Sequence, residues 1–262
     1  MSPASIPVVI LCGGEGTRFR EETQFRPKPL VPIGEYPILW HLMNIYASRG
    51  FTDFILCLGY KGWMIKEYFL NYEAMTRDFS IQLGDGHPTF DGRGSDLGWR
   101  ITFVDTGPGS MTGARLKRAE RYVDSEQLMV TYADAVADID VRRLLEFHLA
   151  HGGIGTVTGF HPPLPFGEMV LEGSRVARFT EKPRLPCVIN GGFFVFRREI
   201  FKYLDEQESC VLERAPLERL TREGELHAYV HDGFWQCLDT YKDQLLLEEI
   251  WRSGRAPWRV AT

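Results

Sequence analysis

Cysteine is scarce in this 262-residue chain, and its placement excludes two architectures. Cys12, Cys57, Cys187, Cys210 and Cys237 are odd in number, widely spaced and without a CxxC pair, so neither a disulfide framework nor a zinc site is indicated. The expectation is reduced, mostly buried thiols. Excess positive charge is also missing. With 30 Lys and Arg against 35 Asp and Glu, the net charge of −5 gives no electrostatic case for nucleic-acid binding, which needs a basic surface to neutralise phosphates. Local basic clusters must therefore answer to small anions. No apolar run is long enough for a membrane span or a signal-peptide core, and no basic segment precedes the first one, so the reading is a soluble cytoplasmic protein with no membrane partner. No linker, internal repeat or low-complexity segment divides the chain, and 44% hydrophobic content points to one large domain over residues 1–262.

What is present centres on VVILCGGEGTRFREETQFRPKPL, Val8 to Leu30. Val8 to Leu11 reads as a buried central strand, because parallel strands covered on both faces lose polar alternation. A glycine-rich turn follows at once. Gly13, Gly14 and Gly16 can take positive φ and bring backbone NH groups within reach of a phosphate chain, while Thr17 and Arg18 add a hydroxyl and a fixed cation. A Walker loop would need Lys-Ser or Lys-Thr after the last glycine, where Thr17-Arg18 stands. A dinucleotide fingerprint would run straight into a helix, which Pro27, Pro29 and Pro32 exclude. The Pro27-Lys28-Pro29 triplet predicts a stiff extended rod that presents one ammonium.

Strand and helix then alternate as in a doubly wound α/β sheet. Leu39, Leu42, Met43 and Tyr46 at three- and four-residue spacing predict an amphipathic helix ending at Gly50, with Trp40 and His41 as packing residues. Phe54 to Leu58 reads as a second strand, and Met64 to Leu70 as its helix. From Gly84 to Gly98 a glycine- and aspartate-rich stretch lacks any hydrophobic period and predicts a mobile excursion from the sheet. Trp99 to Val104 is a strand, followed by a turn into a helix from Met111 or Thr112. This helix start gathers Ser110, Arg115, Lys117 and Arg118 and could offer free NH groups to a base edge or phosphate, or be only a solvated basic helix.

Leu128 to Tyr132 predicts a further strand whose carboxyl end carries Asp134, the best metal-ligand candidate of this half, since ligands collect outside the carboxyl ends of such strands. Asp138 and Asp140 read as the start or cap of a helix from Val141 to Ala150. A strand from Ile154 to Phe160, a short hairpin at Met169 to Leu171 and Arg175 to Thr180, and an apolar strand after Asn190-Gly191-Gly192 follow. Asp239 stands just before a long helix from Tyr241 to Trp251, the position of a helix cap.

Assembled, the motifs GGEGTR, RPKPL, PILWHLM, GYKG, DTGPGSMTGARLKR, EKP, INGGFFV and GFWQCLDT resemble the sugar-phosphate nucleotidyltransferases nearly end to end, with SMTGARLKR and PILWHLM pointing to the cytidylyl branch. The resemblance implies a Rossmann-like nucleotidyltransferase fold: a mixed, mostly parallel central sheet with helices on both faces and a small β appendage. It implies CTP over Leu11, Cys12, Gly13, Gly14, Glu15, Gly16, Thr17 and Arg18, with Lys28 on its phosphates and Ser110 and Arg115 in the cytidine region. Asp134 and Asp239 would hold Mg²⁺, and Gly167, Glu181, Lys182 and Asn190 would face a sugar 1-phosphate, making Arg18, Lys28, Asp134 and Lys182 the catalytic set. A homo-oligomer is also implied, with the glycine-rich excursion at about 80–115 near a subunit contact.

Three departures fall near the acceptor pocket: Ala133 and Ala135 flank Asp134 where relatives carry glycine, Arg184 to Val188 replaces the usual glycine and acidic residues, and Glu168 stands where a small residue is common. They leave open a different phosphorylated acceptor, dTTP or UTP as donor, or a non-catalytic nucleotide-binding paralogue.

Overall fold

The computed structural model describes residues 3–84, 86–91, 97–164 and 166–260. Seven strands form one sheet in the order Leu226–Val230, Gly155–Phe160, Ile189–Arg197, Gln127–Tyr132, Val8–Leu11, Asp53–Leu58, Arg100–Asp105. Only Ile189–Arg197 runs antiparallel to its neighbours. The strand Val8–Leu11 pairs in parallel with Asp53–Leu58 on one side and Gln127–Tyr132 on the other. From Val8–Leu11 the chain builds first to one side, through Asp53–Leu58 and Arg100–Asp105, and then crosses to Gln127–Tyr132 on the other, so the carboxyl ends of Val8–Leu11 and Gln127–Tyr132 open on the same crevice, where α/β sheets bind ligands.

The strands are continuous apolar runs because both faces are covered. One face packs Ile10, Leu56 and Met129 under the helix Ile38–Ala47 and the later helices Val141–His151 and Tyr241–Arg252. The other packs Val9, Ile55 and Val130 under Thr112–Ala119 and Ala215–Arg222. The first of these helices departs from its amphipathic reading: eight of its ten residues are buried, Trp40 and His41 among them, because the chain's carboxyl-terminal helix covers its outer side.

Among the described residues four small two-stranded sheets stand off the main one. Pairing of Phe79–Ile81 with Pro88–Phe90 shows that part of the glycine-rich stretch is a hairpin, against the aperiodic reading; Phe79 packs on Phe90, a cross-strand pair that the short segments hid. The rest of that excursion, at 85 and 92–96, lies outside the described residues. The hairpin Glu168–Glu172 and Arg175–Thr180 forms the β appendage.

Three local expectations are corrected. Asp140 caps Val141–His151 by accepting from the backbone NH of Arg142 and Arg143, but Asp138 instead accepts from His231 Nε2 and Phe234 N, both at 2.7 Å. Lys28 does not sit in an extended rod: Pro27 is extended, and Lys28–Leu30 is a 3₁₀ turn closed by Val31 N to Lys28 O at 3.0 Å. All five cysteines are free, but only Cys12 and Cys57 are buried.

Candidate functional site

The first strand ends at Leu11, and its loop is built by three different uses of glycine. Gly16 alone of the three loop glycines takes positive φ, at 62°, correcting the expectation for the other two. Its carbonyl accepts from Phe19 N at 2.9 Å and from Thr23 Oγ1 at 3.1 Å, and the buried Phe19 anchors the turn Thr17–Phe19 below the loop. Gly13 is required for space, since a Cβ there would stand 2.0 Å from Arg115 Nη1. Gly14 faces open space. Cys12 N donates to Cys57 O at 3.0 Å and Tyr60 N to Gly13 O at 3.1 Å, tying the loop to the neighbouring strand.

Arg115 is buried and spends its guanidinium on that framework. Nη2 donates to Gly13 O (2.9 Å) and Pro108 O (3.1 Å), while Nη1 donates to Leu58 O, Gly107 O and Thr106 Oγ1. Burial pulls its pKa down, and the smaller opposing effect of the Asp105 charge does not make up for the lost hydration. Ser110 is likewise committed, donating to Thr106 O and accepting from Arg118, each at 2.6 Å. The helix Thr112–Ala119 does not offer the free N-terminus read from its sequence. Met111 N donates to Glu208 O, and Gly113 N and Ala114 N donate to Cys210 O, so the segment around 208–210 caps it.

Across the crevice, the strand Gln127–Tyr132 delivers Asp134. Ala135–Ala137 pairs antiparallel with Trp235–Cys237, and Leu238 N donates to Asp134 O at 2.7 Å, bringing Asp239 alongside. Lys28 Nζ bridges them, 2.6 Å from Asp134 Oδ2 and 2.5 Å from Asp239 Oδ1, and Arg18 Nη1 lies 2.8 Å from Asp239 Oδ2. Burial alone would lower the Lys28 pKa, but Asp134 and then Asp239 outweigh it and hold the ammonium above its ordinary value. The cap reading of Asp239 is excluded: Thr240 is the N-cap, in a reciprocal capping box with Asp243, which also receives Asp239 N at 3.1 Å. Beside this pair, burial and then Asp239 push the Cys237 thiol up to about 12, so it is no nucleophile near neutral pH.

These groups line one cavity of about 640 Å³. Leu11, Cys12, Gly13, Gly14, Glu15, Gly16, Thr17, Arg18, Lys28, Ser110, Arg115, Asp134 and Asp239 all border it. Sequence reasoning missed Met111, Thr112 and Tyr132 on its wall, while Ala133, read as a departure beside Asp134, is there too. Tyr132, two residues before Asp134 at a strand end, could have been found by position; Thr112 could not.

Gly167, Glu181, Lys182 and Asn190 do not line this cavity. Glu168 pairs with Thr180, so Gly167 and Glu181 face each other at the open end of the appendage hairpin, and a Cβ on Gly167 would lie 3.1 Å from Glu181 Oε2. Lys182 is exposed with φ of 46°, a left-handed conformation that costs a non-glycine residue of order 1 kcal/mol and is retained where neighbours fix it. Leu164 N to Pro183 O at 2.7 Å and Leu185 N to Pro162 O at 2.9 Å supply that fixing. Asn190 alone reaches the cavity wall, donating from Nδ2 to the Tyr132 hydroxyl at 3.3 Å.

Among the described residues no cluster of three or more His, Cys, Asp or Glu could hold a metal. Two carboxylates gripping one ammonium are nonetheless a hard-oxygen pair that already takes a cation, which suits an ion completing its shell with phosphate oxygens and water.

A mostly parallel sheet thus places a glycine loop at its switch point, facing two acids and two cations. The family described as nucleotidyl transferase matches residues 7–245, and the chain belongs to it. A glucose-1-phosphate cytidylyltransferase of Salmonella typhi is 45% identical over 254 residues, covering 96% of this chain and 98% of that protein. The mannose-1-phosphate guanyltransferase of Saccharomyces cerevisiae is 30% identical over 267 residues, 97% of this chain and 68% of that protein. In fold, the chain is similar to a UDP-glucose pyrophosphorylase solved with UDP-glucose, at a TM-score of 0.68 and 15% identity, covering 95% of this chain and 99% of that one.

Proposed function

We propose that this enzyme transfers CMP from CTP to glucose 1-phosphate, giving CDP-glucose and pyrophosphate. The observation that carries the reading is the convergence of Arg18, Lys28, Asp134 and Asp239 on the cavity entered by the glycine loop. Choice of cytidine rests on the 45% identity to the cytidylyltransferase, against 30% to a guanyltransferase.

The attacking oxygen belongs to a sugar phosphate, whose second pKa of about 6 leaves it largely ionised at neutral pH, so no general base is needed. The difficulty is bringing two polyanions together, and catalysis comes from in-line positioning and charge neutralisation. Arg18 and Lys28 stabilise the departing pyrophosphate, and Lys182 holds the incoming phosphate. Asp134 and Asp239 would hold Mg²⁺, which when bound draws charge from the α-phosphate. Because the polar atoms of Ser110 and Arg115 are internally bonded, they act on the base through the shape of the loop at 106–110.

Two of the three departures in sequence are accommodated locally. Among the described residues only Lys61 and Lys182 combine a side chain with positive φ, so Ala133 and Ala135 sit unstrained, and Ala135 is paired with Cys237. Glu168 lies 3.8 Å from Arg178 within its own hairpin. Exposed Leu70, Met75, Ile81 and Leu83 support self-association of this chain. No described helix is long and apolar enough to cross a membrane.

Pyrophosphate release measured with CTP, UTP or dTTP against glucose 1-phosphate and other phosphorylated acceptors tests the reading. The expected outcome is turnover with CTP and glucose 1-phosphate well above every other pairing; no turnover, or preference for another donor or acceptor, would overturn it.

A further inference from the structure

Glu213 lies outside the cavity wall, on the segment leading into the helix Ala215–Arg222, yet its carboxylate touches two residues that form that wall. Oε2 accepts from Thr112 Oγ1 at 2.6 Å, and Oε1 accepts from the Tyr132 hydroxyl. Thr112 Oγ1 in turn accepts from Leu212 N at 3.0 Å, which fixes the carboxylate on its own backbone. The Tyr132 oxygen accepts from Asn190 Nδ2 at 3.3 Å, and Asn190 Oδ1 accepts from Gly192 N at 2.9 Å. One hydrogen-bonded chain therefore runs from the nucleotide cavity to the acceptor side.

The chemistry of the four groups gives this chain a direction. An ionised carboxylate only accepts, so the single phenolic proton of Tyr132 is committed to Glu213 and its oxygen is left to accept. Asn190 must then turn its NH₂ toward Tyr132, and Gly192 N holds the amide oxygen on the other side. The second NH of the exposed Asn190 is what remains for a ligand. The ring lies close over Gly192, where a Cβ would stand 2.4 Å from its edge, so a side chain at that position would displace it.

We propose that Glu213 is a positioning residue that, through Tyr132, fixes the Asn190 amide as a hydrogen-bond donor to the sugar phosphate. The proposal rests on the cytidylyltransferase reading above. Steady-state kinetics with both substrates varied should be run on the full-length wild type, Glu213→Ala, Glu213→Gln, Tyr132→Phe, Asn190→Ala and the Glu213→Ala/Asn190→Ala double variant. Glu213→Ala and Tyr132→Phe should raise KM for glucose 1-phosphate about tenfold while KM for CTP moves less than about threefold. Glu213→Gln, which can still accept from Tyr132, should recover most of the loss. The double variant should be no worse than Asn190→Ala, because Glu213 acts through that amide.

An unmoved KM for glucose 1-phosphate in Glu213→Ala, or penalties that multiply in the double variant, would overturn the proposal. Tyr132→Phe keeps the ring and carries the same test should Glu213→Ala fail to fold. Absence of wild-type turnover would sink the functional reading and this inference with it, whereas an active wild type with an indifferent Glu213→Ala sinks the inference alone.

Discussion

Lys28→Met tests the electrostatic centre of the site. The ammonium is nearly buried, with 10% of its side chain exposed, and is the common partner of Asp134 and Asp239, whose side chains are 29% and 20% exposed. Methionine keeps the length and flexibility of the side chain and removes only the charge and its two hydrogen bonds. Removing one partner of a fully buried ion pair costs about 3–5 kcal/mol. Partial exposure of both acids, and the Arg18 contact that Asp239 retains at 2.8 Å, reduce the expected loss to about 2 kcal/mol. For a chain of this size that is a fall in Tm of about 4–8 °C.

The variant then presents two carboxylates with only the exposed Arg18 against one of them, so added Mg²⁺ should stabilise Lys28→Met more than it stabilises the wild type. Differential scanning fluorimetry with and without Mg²⁺, in the absence of nucleotide, reads both effects. Turnover should fall by about 10²–10³ even at saturating Mg²⁺, because the cation facing the pyrophosphate is gone. A variant as stable as the wild type without metal, or an equal Mg²⁺ response in both proteins, would refute this reasoning.

Asp134→Asn should lower kcat by about 10³ with the circular dichroism spectrum unchanged, and retained turnover would remove Asp134 from the site. Arg115→Lys cannot reproduce five contacts from one forked group, so KM for CTP should rise about tenfold as the Gly13 loop loosens. Asp140→Ala, which uncaps Val141–His151 far from the cavity, should cost about 1 kcal/mol in urea unfolding and leave kcat alone. Burial, then the His151 charge, depress the His148 pKa to about 4, below the unfolded value of about 6.5. The unfolded chain then binds the extra proton in this window, so stability should be complete above about pH 6.5 and fall as pH drops toward 4, by up to about 1.4 kcal/mol per unit; His148→Gln should flatten that slope.

Most strands of the main sheet and most residues of the candidate cavity were legible because they are local signals: an apolar run, glycines at short spacing, an acid at a strand end; the edge strand Leu226–Val230 was not read. Even there the sequence gives residue type more readily than reason, as Gly13 shows, being glycine to admit Arg115 and not to take positive φ. Arg115 and Ser110 read as ligand-facing donors, but whether a donor is free depends on carbonyls contributed by Gly13, Leu58 and Thr106, which no spacing rule places beside them. Capping of the helix Thr112–Ala119 by Glu208 and Cys210 was hidden for the same reason, about a hundred residues of chain lying between the partners. The hairpin at Phe79–Ile81 escaped because three-residue strands carry no usable period. Glu213 left no mark at all, since its importance comes entirely from what it touches.

The most direct test of the central claim is a crystal structure with CTP and Mg²⁺ bound. The triphosphate should lie over Gly13 to Arg18, with Asp134 and Asp239 holding the ion and Lys28 moved from the acids onto the phosphates. A nucleotide seated elsewhere, or a bound triphosphate with Lys28 still between two metal-free acids, would contradict it.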